Sequence, residues 1–452
     1  MPDTQDSAIT ESPHVLEPAT PSPHRPSEQH KPKLNRRVAF SSLVGTFVDG
    51  YDLVLYGLAA ALVFPQVFFP ALGEAAGIVA SLGTLGVAFV ARPFGAIICG
   101  HFGDRYGRKR TLVATLLAMG VSSTIIGLVP SAAQIGVAAP ILVVMMRIVQ
   151  GLAAGGEWGG STSFVAEHAP PGQRGLYAMF PQLGHALPQT AASALFLVLG
   201  LTMNDDAFLS WGWRIPFVLS IGLIGIGLYI RLKVEETPVF KKAALHGTST
   251  SPLLEAFKTQ PLAMAKGVGV SLTMFVLFYL ATSYLAVYGT NTLGFSRNQV
   301  LVVGLLAGVC YAVSTALSAI YSDRIGRRRL IGLGHIIGGL WIFLLFPILN
   351  SGLLVWYAVG ICLTTTIAGI VHGPIAAFLP EQFHTRYRYS ATGFTYSMTG
   401  VIGGGLVPLL APIIIETAGT VAFGTFVAAL LFAAAACTFS LRQTQEQNLD
   451  SV

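Results

Sequence analysis

Charge is what this chain has least of. Only 27 Lys and Arg and 21 Asp and Glu occur in 452 residues, 11% charged, where soluble domains carry about 25%. So few charges cannot solvate a surface of this size in water. The scarcity excludes an ordinary soluble enzyme, a nucleic-acid binder and a disordered chain. Cysteine is nearly absent too. Cys99, Cys310, Cys362 and Cys437 sit far apart in apolar runs, with no CxxC or Cys/His spacing, so neither a disulfide framework nor a metal site is expected. HExxH, GxSxG and GxxxxGK[ST] are all missing, so no enzyme and no cofactor are expected. No cleavable signal peptide is expected before the first apolar run.

What remains is 53% hydrophobic, with 50 glycines. A membrane-spanning helix needs about 20 apolar residues. Twelve such runs are expected at 38–64, 76–99, 111–130, 137–165, 176–200, 213–233, 264–289, 299–321, 330–349, 353–379, 392–415 and 419–441. They do not alternate apolar and polar as barrel strands do, so the expected class is an all-α membrane protein. Arg36/Arg37, Arg105–Arg110, Lys233–Lys258, Arg324–Arg329 and Arg386/Arg388 all precede odd-numbered runs. By the positive-inside rule that side is cytoplasmic, and an even number of spans puts both termini there. The net charge of +6 is therefore a topology signal, helped by the lipid bilayer, rather than a nucleic-acid footprint.

Residues 1–35 hold seven prolines and five acidic against three basic residues, a composition expected to be a disordered cytoplasmic tail. The rest divides into an N-terminal six-helix bundle (36–233), a cytoplasmic linker (234–260), a C-terminal six-helix bundle (261–441) and a short tail (442–452). The two halves repeat. GHFGDRYGRKR (100–110) follows the second run and YSDRIGRRR (321–329) the eighth, sharing Asp-Arg-x-Gly-Arg at the same place in each half. A duplicated plan suits two bundles rocking about a central site. Asp104, Arg105, Gly107, Arg108, Asp323 and Arg324 are the expected latch, with Gly for the turn and Asp to accept hydrogen bonds.

These repeated loops resemble the hallmark of the major facilitator superfamily. Further segments resemble its metabolite:H⁺ symporter family: GTFVDGYDLVLYG (45–57), ARPFG (91–95), RIVQGLAAGGEWGG (147–160), SWGWRIPF (210–217), RLKVEETPVF (231–240) and PEQFHTRYRYSATG (380–393) leading to GGG (403–405). The resemblance spans residues 36 to about 441. It implies proton-driven uptake of small organic acids or zwitterions such as shikimate, dicarboxylates, citrate, proline and betaine, by a protein of the bacterial inner membrane.

Ionisable residues at membrane depth cost about 2.5–3.5 kcal/mol and mark function. Asp52 lies about 21 Å along the first helix and Arg147 about 15 Å along the fourth, at 1.5 Å per residue. These depths predict a contact: the ionised carboxylate pairs with Arg147, and protonation frees Arg147 for a substrate carboxylate. Asp49 shares a face with Asp52 at i,i+3. The resemblance favours Asp52 as the proton carrier, because Gly50-Tyr51-Asp52 and Arg147-Ile-Val-Gln-Gly look like segments of proton-coupled sugar porters. The family more often has Glu where Asp49 stands. Gln150, Tyr56, Gln182, His185 and Tyr279 join Arg147 as candidate substrate contacts. Arg92 and Glu157 are expected to form a gate pair. The expected partners are a small organic anion or zwitterion and a proton, carried by a monomer. An efflux antiporter is the alternative, although helix 5 reads FPQLGHALPQ (180–189) rather than the exporter pattern GxxxGPxxGG. A solute sensor is the more distant one.

Overall fold

The structure, a computed structural model, describes residues 36–106, 108–159, 161–162, 174–233, 252–384 and 387–443. The expected tail at 1–35, residues 444–452 of the expected tail at 442–452, and residues 234–251 of the expected linker lie outside the described residues. So do Gly107 and the side chains of Asp104, Arg105 and Arg108.

Among the described residues all regular structure is helical. Charge-poor runs satisfy their backbone polar groups internally as helices, which lipid requires. Among the described residues nine helices are long and apolar enough to cross a bilayer, and a bent pair, Asp205–Gly212 with Arg214–Tyr229, makes a tenth. The shorter apolar stretch Val113–Leu128 adds another. The 52-residue helix Arg388–Phe439 is two spans joined at Gly419, whose φ of 84° breaks the helical path. The twelve are α1 (Arg36–Leu62), α2 (Glu74–Tyr106), α3 (Arg108–Leu128), α4 (Ala138–Gly159), α5 (Arg174–Thr202), α6 (Arg214–Lys233), α7 (Pro261–Thr292), α8 (Arg297–Ile325), α9 (Arg327–Leu349), α10 (Leu354–Phe378), α11 (388–418) and α12 (420–439).

The ends differ from the hydropathy boundaries in an informative way. The runs expected to stop at 99 and 321 continue as helix to Tyr106 and Ile325. The acidic residues of the repeated motif therefore stand on the last helical turns. Gly326, at φ 99°, supplies the reversal between α8 and α9, a conformation a side chain would strain.

The fold is two six-helix bundles. In the first, α1 packs on α5, α2 on α4 and α3 on α6. In the second, α8 packs on α10, α9 on α10 and α12, and α7 on α11. The bundles meet along α5–α8, α2–α11 and α1–α7. Small residues make these approaches close. A Cβ on Gly151 would meet Ala88 and Ala91 of α2, and one on Gly308 would meet Thr190 of α5. The apolar stretch of α7 is buried throughout, whereas Val121, Leu201, Ile221, Leu340 and Val355 face outward. α7 is thus a central helix, and the outward residues are exposed on the bundle surface.

Candidate functional site

The ionisable residues inside α1, α2 and α4 converge on the bundle interior. Asp49, Asp52, Arg92, Arg147 and Glu157 are all buried. Gly151 and Gly155 of α4 pack directly on the α2 backbone at Ala88 and Arg92, so the two helices that carry Arg147 and Arg92 lie close together.

The predicted Asp52–Arg147 contact is not made. Asp52 Oδ1 accepts from Ser220 Oγ of α6 at 3.1 Å, with the Ser123 hydroxyl of α3 as a second neighbour. Arg147 lies over the Tyr56 ring, its Cζ 3.8 Å from the centroid, and donates from Nη1 to Gln150 Oε1 at 2.7 Å. Tyr56 is one turn along α1 from Asp52, and its ring holds the guanidinium by cation–π attraction. The two charges are still linked. Gln150 Nε2 donates to Ser123 Oγ at 2.6 Å, so a chain of polar side chains runs from Arg147 through Gln150 and Ser123 to Asp52. Gln150 and Tyr56 thus flank Arg147.

Arg147 Nε and Nη2 are buried with no hydrogen-bond partner among the described residues. These atoms form one edge of the guanidinium, the edge that grips a carboxylate with two parallel hydrogen bonds.

Asp49 does not share surroundings with Asp52. It faces α2 and α5, where Arg92 Nη2 is 3.7 Å and His185 Nε2 is 3.3 Å from its Oδ2. Of the expected gate pair, Arg92 turns its side chain to Asp49 while its backbone packs against Gly155 near the end of α4. Arg92 also lies 5.4 Å from the Phe89 ring.

Gln182 and Tyr279 lie across the interface of the bundles. Gln182 Nε2 donates to the His372 carbonyl of α10 at 2.5 Å, and Trp158 Nε1 donates to Gln182 Oε1 at 3.4 Å. Tyr279 packs edge-on against Phe89, 4.9 Å between centroids. Sequence reasoning passed over Trp158 and Tyr396, which stack at 3.5 Å across the bundles, and Ser123 and Ser220, which serve Asp52. Trp158 stood within a quoted motif. The serines gave no signal, being small neutral residues in apolar runs.

The second copy of the repeated motif ties α8 to α5. Asp323 accepts from the Gly175 N–H, at 3.0 Å to Oδ2 and 3.2 Å to Oδ1, so a carboxylate on α8 caps the positive N-terminus of α5. Its cation is Arg327, at 2.6 Å; Arg324, expected in the latch, is exposed, because one helical step turns it outward. Glu381 joins Arg327 and also Arg174, at 3.3 Å. At the opposite end Arg297 pairs with Asp205 at 2.6 Å and Asn291 Nδ2 donates to Glu74 Oε1 at 3.0 Å. These residues border a cavity of about 710 Å³.

The Major Facilitator Superfamily model matches residues 43–408. An inner membrane metabolite transport protein of Escherichia coli (strain K12) is 37% identical over 93% of this chain and 98% of its own length. The shikimate transporter of the same organism is 37% identical over 84% of this chain and 88% of its own. A proline/betaine transporter, also from that strain, is 30% identical over 85% and 78%. The structure of the proton:xylose symporter XylE superposes with a TM-score of 0.73 at 17% identity, covering 92% of this chain and 97% of that one.

Proposed function

Because the chain belongs to the Major Facilitator Superfamily, whose members are transporters rather than enzymes, we propose that it is a proton-coupled symporter importing a small organic acid or zwitterion. The observation that carries this reading is the buried, unpartnered Nε–Nη2 edge of Arg147. A guanidinium held from one side by Tyr56 and Gln150 offers its other side to a substrate carboxylate. Shikimate, proline and betaine, the solutes for which relatives are named, each bear such a carboxylate.

Two carboxylates, Asp49 and Asp52, balance the guanidinium charges of Arg92 and Arg147. A buried site that is neutral in total gains nothing from an anion; one proton added to a carboxylate makes it net positive and favours the anion. Proton and substrate then bias the same rearrangement of the bundles, which is the condition for coupling. In this reading Asp52 carries the coupling proton, and its link to Arg147 runs through Ser123 and Gln150 instead of a direct ion pair. Gln182, His185 and Tyr279 line the substrate path. Asp323, Arg327 and Glu381 hold the cytoplasmic end closed, both termini are cytoplasmic, and 36–233 and 261–441 are the moving bodies. The protein works as a monomer in the bacterial inner membrane.

Proteoliposomes test the proposal. Shikimate, dicarboxylates, citrate, proline and betaine are offered with the outside acidic. Accumulation of at least one of them, abolished by a protonophore, is expected. Outward-directed exchange against protons, with no inward accumulation of any candidate, would instead identify an efflux antiporter.

A further inference from the structure

We propose that Asp49 and His185 together hold one proton in the contact that joins α1 to α5. The case rests on counting donors and acceptors. The imidazole approaches two oxygens: Nδ1 is 3.3 Å from the Pro181 carbonyl, and Nε2 is 3.3 Å from Asp49 Oδ2. A carbonyl only accepts, so Nδ1 bears hydrogen there. A neutral imidazole then has a bare lone pair on Nε2, and an ionised carboxylate presents nothing but lone pairs. The opposite neutral tautomer satisfies Asp49 only by setting a bare Nδ1 against the Pro181 carbonyl. One further proton makes both contacts attractive. It sits on Nε2, giving imidazolium beside carboxylate, or on Oδ2, giving a carboxyl group that donates to the ring. Both forms contain the same number of protons, so the count does not depend on which atom carries it.

The backbone fixes this contact. Gly50 adjoins Asp49 and Gly184 adjoins His185. A Cβ on Gly50 would stand 3.2 Å from His185 Cα, and one on Gly184 would strike Thr46. Glycines at both positions therefore bring the helices close enough for side chains as short as Asp and His to meet.

The groups facing the pair come from five helices. Asp52 lies on α1, and Arg92 on α2 has Nη2 3.7 Å from the same Oδ2. Tyr279 on α7 and Tyr396 on α11 lie within electrostatic range of Asp49. His372 on α10 sits with its ring 6.3 Å from that of His185, and its Nδ1 bonds the Tyr311 hydroxyl at 2.8 Å. Asp49, Arg92 and the shared proton sum to +1, and an ionised Asp52 brings the group to zero; loss of the shared proton lowers either total by one. Asp49 Oδ1 and Arg92 Nε have no hydrogen-bond partner among the described residues, so the unloaded carboxylate has a second cation to turn to. Loading thus exchanges α2 for α5 as the partner of α1. Resting on the transport reading above, the pair is a second proton-carrying position beside Asp52.

The full chain is reconstituted in lipid with ¹⁵N-labelled histidine and studied at pH 7, where an ordinary histidine, titrating near about 6.5, is mostly neutral. The His185 signals are identified by their loss in His185→Gln. The expected result is two hydrogen-bearing ring nitrogens, or a neutral ring together with a protonated-carboxyl infrared band that vanishes in Asp49→Asn. Either outcome places one proton on the pair. A neutral ring with no such band overturns the proposal, whatever the protein transports. If the proton is found but no candidate solute is driven by a pH gradient, the site stands and the transport reading falls. His185→Asn and Asp49→Ser supply the same assignments should His185→Gln or Asp49→Asn fail to fold.

Discussion

At the scale of single residues, Arg147 is held from one side and open on the other. Arg147→Lys keeps the charge and removes the two-pronged edge. Losing one charge-assisted hydrogen bond of about 1.5–3 kcal/mol weakens binding of the transported anion roughly 10- to 100-fold, read as Kd by calorimetry on the purified variant. A Kd within about twofold of the wild type would show that the anion binds elsewhere. Asp52→Asn tests the proton instead. Its amide still accepts from Ser220 but cannot ionise, so counterflow exchange persists while pH-gradient-driven accumulation is lost. Full gradient-driven accumulation by that variant would remove Asp52 from coupling.

Helices meet here through glycine, and the contacts are uneven. A Cβ on Gly151 would meet Ala91 Cβ at 2.7 Å and the Ala88 backbone, where neither helix can yield without moving whole. Gly151→Val therefore costs about 1–3 kcal/mol or more through overpacking, seen as a lower unfolding temperature in detergent. Gly222 has nothing within 4 Å of the same position, so Gly222→Val on the lipid-facing side of α6 leaves the melting curve unchanged. Equal losses in both variants would mean that helix propensity, not α2–α4 packing, sets the effect. Helix existence was legible from apolar run length alone. The continuation of α2 and α8 into the charged motif was not, because hydropathy cannot tell a polar helical turn from a loop.

Across the whole molecule, both ends of the interface between the bundles are tied. The two ties differ in burial. Arg297–Asp205 leaves Asp205 largely exposed to solvent, and such a pair contributes about 0–1 kcal/mol. The Asp323–Gly175 tie is half-buried, uses a helix N-terminus and is braced by Arg327 and Glu381. Asp323→Asn is therefore expected to shift the population toward molecules open at the motif end, and Arg297→Ala to shift it little. Spin labels on the motif-end tips of α5 and α8 measure this directly, as a longer distance component in the first variant. An unchanged distance distribution in Asp323→Asn would show that packing alone closes that end.

The sequence by itself determined the membrane class, the twelve spans, the duplication and five of the buried charges, though not Arg327 or Glu381. Each follows from local facts: too little charge for water, runs long enough for a bilayer, ionisable groups where lipid penalises them. Only the tertiary structure decided the pairing. Asp49 and Asp52, three residues apart, face opposite neighbours, and Arg147 rests on a tyrosine instead of a carboxylate. Pairing depends on the rotation and close approach of helices distant in sequence, and on neutral partners such as Ser123 and Ser220 that no charge pattern reveals.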